Sequence, residues 1–195
     1  AHVILGLFGA VPAHRSDGSR AAAGSDPDRW MKRATALIVC VFALSGASGL
    51  LYQVVWVKLL AQLLGGTSVA ISTVLAAFMG GLALGSWRLG TRADRSPSPL
   101  RLYAALEVGI GILGAAVPAL VVAVKPLYVG LAHVLPEAAM APVRIVVAFA
   151  LLLLPTALMG GTLPVLGRFL VRESDRLGRG IGLLYAVNTL GAVVG

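Results

Sequence analysis

Arg88-Leu-Gly-Thr-Arg-Ala-Asp-Arg95-Ser-Pro-Ser-Pro99-Leu-Arg101 is a short basic stretch between two long apolar ones, and its reading decides the fold. Residues 67–87 before it carry no charge, and residues 102–124 after it carry one, Glu107. Pro97 and Pro99 remove backbone donors and set a turn, so the flanking segments are separate elements. The pattern recurs along the chain. Thirteen of the sixteen Lys and Arg residues fall in three clusters, Arg15 to Arg33, Arg88 to Arg101 and Arg168 to Arg179, with only Lys58, Lys125 and Arg144 outside them. Each cluster is separated from the next by a pair of long apolar segments. This is the positive-inside pattern of a polytopic membrane protein, and it predicts a cytoplasmic N-terminus with returns to the cytoplasm after the second and fourth spans.

Composition points the same way. The chain is 58% hydrophobic and only 12% charged, against about 45–50% and about 25% in soluble domains. The formal charge of +8 sits in loops beside apolar spans, which assigns it to orientation against a membrane and not to a nucleic-acid partner. A single cysteine, Cys40, excludes an intrachain disulfide and a cysteine-cluster metal site.

Spans are expected at about 34–57, 67–87, 102–124 and 145–166, with a fifth from 181 cut short at 195; each full span matches the roughly 20 residues that a bilayer requires. The predicted fold class is therefore an all-α, polytopic transmembrane helix bundle, truncated in its fifth helix. Residues 1–33 read as a disordered extension, with Met31-Lys-Arg33 resembling a natural start just before the first span. Residues 125–143 are apolar but broken by Pro126, Pro136 and Pro142, so an external loop with a short interfacial helix near Leu127 to Val134 is expected there. Small residues recur four apart at Ser45/Gly49, Gly81/Gly85, Gly178/Gly182 and Gly191/Gly195, a spacing that lets helix backbones approach closely in lipid. Met79-Gly-Gly and Met159-Gly-Gly, each followed by an arginine (Arg88, Arg168), form a weak internal echo.

Glu107 is the only acid expected inside a span. A carboxylate in hydrocarbon is costly, so it should face the bundle interior, pair with a cation such as Arg101, or stay protonated. Its functional reading is a proton-coupling or cation-binding site. Gln53 and Asn188 are candidates for interhelical hydrogen bonds and, after that, for solute contacts, and Lys58 is expected to snorkel to the outer interface. His2, His14 and His133 are scattered without a ligand spacing, and Gly178-Arg-Gly-Ile-Gly182 follows no strand, so neither a metal nor a nucleotide cofactor is indicated. No catalytic constellation is present, and these residues are not expected to form an enzyme by themselves.

The segment Gly90-Thr-Arg-Ala-Asp94-Arg95 resembles the loop between helices two and three of major facilitator transporters, with Gly90, Asp94 and Arg95 at matching positions. It departs from that pattern at Pro97, Pro99 and Leu100. In that family the Asp and Arg belong to a charge network with a neighbouring helix that breaks during transport. A second resemblance covers residues 34–195. It rests on Ser45-Gly-Ala-Ser-Gly-Leu-Leu-Tyr-Gln-Val-Val-Trp56, Ser72-Thr-Val-Leu-Ala-Ala-Phe-Met-Gly-Gly-Leu-Ala-Leu-Gly-Ser86, Leu158-Met-Gly-Gly-Thr-Leu-Pro164 and Gly182-Leu-Leu-Tyr-Ala-Val-Asn-Thr-Leu-Gly-Ala192. These resemble bacterial inner-membrane proteins in which a transporter-like helical domain precedes a spermidine synthase-like domain, with Gln53 standing where the family more often has Glu. The resemblance implies a membrane anchor for an aminopropyltransferase-like domain lying beyond these residues, and transport of a polyamine-like solute. The alternative is a piece of a stand-alone major facilitator-type secondary transporter, and a purely structural anchor is the third reading.

Overall fold

The computed structural model describes residues 27–64, 66–173 and 177–195. Every element among them is a helix: α1 (Pro27–Leu64), α2 (Thr67–Arg95), α3 (Pro99–Val134), α4 (Glu137–Glu173) and α5 (Leu177–Val194). The first four are long and apolar enough to cross a membrane. Most of the expected extension, residues 1–26, lies outside the described residues, whereas Pro27 to Arg33 form the start of α1.

The helices alternate in direction. Gly81 meets Thr156 and Gly85 meets Ala157, while Asp94 reaches Arg168, so α2 and α4 run parallel. The Phe42–Tyr103 ring contact and the seat of Gly114 against Tyr52 make α1 and α3 parallel. Gly191 against Ala43 and Gly195 against Ala47 do the same for α1 and α5. Arg88, Arg92, Arg95, Arg101 and Arg168 thereby share one end of the bundle.

The α2–α4 interface is the most extensive, followed by α3–α4 and α1–α5. Of the spans' most apolar windows, 39% of α2 is buried against 11% of α1, which makes α2 the inner helix and α1 largely peripheral. Two apolar clusters hold the bundle. The one far from the basic end gathers Trp56, Leu60, Val74, Val121 and Leu152. The other, toward the basic end, contains Phe42, Ala93, Tyr103, Leu106, Leu166 and Leu184. Between them lies a belt of close backbone approaches, because a side chain at Gly46, Gly81, Gly85 or Gly160 would strike the facing helix.

Two of the four small-residue pairs make such contacts, Gly81/Gly85 and Gly191/Gly195. Gly49 and Gly182 face open space, and the surroundings of Gly178 lie outside the described residues. The expected loop over 125–143 is a correction: α3 runs through Pro126 to Val134, and α4 starts at Glu137, so the connection is Leu135-Pro136 alone. A proline inside a helix forfeits one hydrogen bond, and an apolar setting offers the freed backbone no water, so continuing the helix is the better arrangement. Lys125 and Arg144 accordingly stand on α3 and α4, and Lys58 stands on α1.

Candidate functional site

Glu107 lies in the third turn of α3, at the border between the basic-end cluster and the glycine belt. Tyr103, four residues earlier, shares its face, because four residues advance a helix by about 400°, only ~40° past a full turn. The carboxyl stands against the hydroxyls of Tyr103 and of Ser45 on α1. Glu107 Oε1 and the Tyr103 hydroxyl oxygen are nonetheless buried, and neither makes a hydrogen bond of ordinary geometry. The three side chains form a cluster without a closed network. Phe42 covers it from α1, its ring edge-on to Tyr103 at 6.4 Å between centroids and 70° between planes. Arg101 is exposed and makes no ion pair with Glu107 among the described residues, so of the alternatives expected for the acid the pairing with Arg101 is not formed. Six residues advance a helix by about 600°, which puts Arg101 roughly 240° around α3 from the acid.

Asn188 reaches the same level from α5. Its carbonyl oxygen packs on Gly46, and its Oδ1 lies 2.9 Å from where a Gly46 side chain would begin. Gly46 adjoins Ser45 in sequence, so Asn188 of α5 and Glu107 of α3 approach α1 at the same level, on faces about 100° apart. Gln53 does not reach that level. Eight residues separate it from Ser45, which is about 12 Å along α1, and its neighbours there are Tyr52 and Trp56, stacked at 5.5 Å and 11°.

The loop-motif residues divide by face. Gly90 lies against Pro164 of α4, and Asp94 Oδ1 approaches Arg168 Nε at 3.8 Å, whereas Arg95 ends α2 exposed. The long distance leaves the buried Arg168 Nε without a hydrogen bond. Beside this pair runs an open groove of about 320 Å³ lined by Ser86, Asp94, Pro164, Arg168 and Ile181. At the other end of the bundle, Arg144 Nε donates to the Tyr128 hydroxyl at 2.8 Å, and Arg144 Nη1 pairs with Glu137 Oε1 at 2.7 Å, which ties the start of α4 to the end of α3.

Sequence reasoning singled out Glu107, Asn188 and Asp94 but missed Tyr103, Ser45 and Arg168 as their partners. Tyr103 was visible as the residue four before the acid. Arg168 was visible in the Met-Gly-Gly echo, since Gly81 of one pair packs on Thr156 of α4 and Gly160 of the other on Leu82 of α2. Ser45 had no such signal, because nothing local pairs α1 with α3. Neither a family model, nor a curated protein, nor a solved structure matches this chain.

Proposed function

We propose that these residues form a multi-pass domain of a bacterial inner membrane, with the N-terminus and the basic end in the cytoplasm. In this reading the domain anchors a spermidine synthase-like, aminopropyltransferase-type domain and passes a polyamine-like cation through a major facilitator-like bundle. The observation that carries the reading is the lone acid. Among the described residues, the one carboxyl set within the apolar bundle lies between two helices beside two hydroxyls and no cation. An intramembrane ionisable group facing the bundle interior is characteristic of a solute or ion path. The polyamine and the synthase partner are drawn from the sequence resemblance.

The test is calorimetric titration of the intact protein with spermidine. The reading expects saturable binding that Glu107→Gln abolishes while membrane insertion is unchanged; undiminished binding by the variant would remove Glu107 from the path. A second reading, a stand-alone secondary transporter, draws on the way Gly90 and Asp94 of the loop motif face α4 and Arg168. The coding sequence downstream separates the two: a soluble α/β segment supports the fusion, and further apolar spans support the transporter.

A further inference from the structure

The last two turns of α2 carry three arginines on one face. Arg88, Arg92 and Arg95 are all exposed. Their spacing of four and then three residues keeps them within an arc of about 60°, over a rise of about 10 Å. Ala93, which belongs to the core cluster at the basic end, lies about 140° round the helix from Arg88, so the arginines point away from the bundle. Asp94, about 120° from Arg88, is turned to Arg168 instead. Among the described residues none of the three makes an ion pair. Arg88 lies over the indole of Trp87, 5.8 Å from the ring centroid, and Trp87 is itself 68% exposed. Toward the middle of the span, α2 presents Ala76, Gly80 and Ala83 to the outside, and a methyl added at Gly80 would meet only the Phe149 ring, at ordinary contact distance.

An exposed tryptophan followed by arginines marks the level at which hydrocarbon gives way to headgroups. Each headgroup layer is about 5–8 Å thick, and Arg88 and Arg92, one turn apart, rise through about 6 Å. The helix therefore carries its guanidinium groups at the depth of the lipid phosphates. Guanidinium is weakly hydrated, and its fork of donors matches phosphate oxygens. Three positive charges also outweigh the roughly half-unit negative pole of the helix C-terminus. No carboxylate of the described residues stands on this face, so the complementary charge is a ligand's.

We infer that this face of α2 binds an anionic phospholipid of the leaflet at the basic end. The phosphate lies between Arg88 and Arg92, and Arg95 adds attraction from the water side. An acyl chain runs along the small residues Ala76, Gly80 and Ala83 beneath Trp87. Net charge is what the site selects, because a phosphate that shares its headgroup with a quaternary ammonium offers the arginines no net attraction. The site rests on reading α2 as a membrane span, and not on any solute passing through the bundle.

Native mass spectrometry of the intact protein, released from nanodiscs made with equal amounts of phosphatidylglycerol and phosphatidylcholine, reads the selection. The wild type should retain phosphatidylglycerol well beyond its share. An arginine near an anionic surface is worth roughly fivefold in affinity, so Arg92→Gln should cut the enrichment about fivefold and Arg88→Gln/Arg92→Gln should abolish it. Arg101→Gln, which removes the same charge from α3, should leave it unchanged. An equal loss in Arg101→Gln would mean a diffuse field of the whole basic end and overturn a site on α2. A wild type that enters nanodiscs but retains the two lipids alike, or retains neither because polypeptide covers the face, overturns the site alone. A protein recovered without detergent in the soluble fraction overturns the membrane reading with it.

Discussion

Glu107 and Gly46 illustrate a residue type that an apolar bundle uses sparingly and one that it uses often. Glu107 was legible from the sequence because an acid within an apolar run has no structural excuse. Its surroundings were legible only as far as helix geometry reaches, to Tyr103 one turn away and not to Ser45 on another helix. Gly46 works by what it lacks. A methyl there would strike the Asn188 carbonyl, whereas one at Gly49, three residues along the same helix, would meet nothing within 4 Å. Gly46→Ala should therefore push α5 away from α1 and destabilise by about 1–3 kcal/mol, as overpacking does. Gly49→Ala should be neutral or stabilise by up to ~1 kcal/mol through helix propensity. Thermal unfolding of both variants in detergent is the measurement, and equal melting temperatures would count against close α1–α5 packing.

At the scale of elements, the four apolar runs were readable because their lengths match a bilayer. The ends of α3 and α4 were not. Pro126, Pro136 and Pro142 read locally as breaks, yet only Pro136 falls between helices. A proline's local preference is overridden where the surroundings offer the backbone no other partner. Between α2 and α4 the glycines matter more than the charges. Gly81, Gly85 and Gly160 bring the two backbones together, while Asp94 and Arg168 meet at 3.8 Å with Asp94 72% exposed. A pair that open should contribute under about 1 kcal/mol. A double-mutant cycle with Asp94→Asn and Arg168→Gln, read by unfolding, should return a coupling of that size. A coupling of several kcal/mol would mean that the charges hold the helices together.

At the scale of the whole molecule, the alternating helix directions and the gathering of arginines at one end agree with the charge pattern that opened the reading. The account depends on that end lying in the cytoplasm, with α1 to α4 crossing the bilayer. Single cysteines placed in a Cys40→Ser background at Thr91, exposed near the end of α2, and at Val134, exposed at the end of α3, test this directly. In intact cells a membrane-impermeant maleimide should label Val134→Cys at once, and Thr91→Cys only after the membrane is permeabilised. Labelling of both from the same side, or recovery of the protein in the soluble fraction without detergent, would contradict the account.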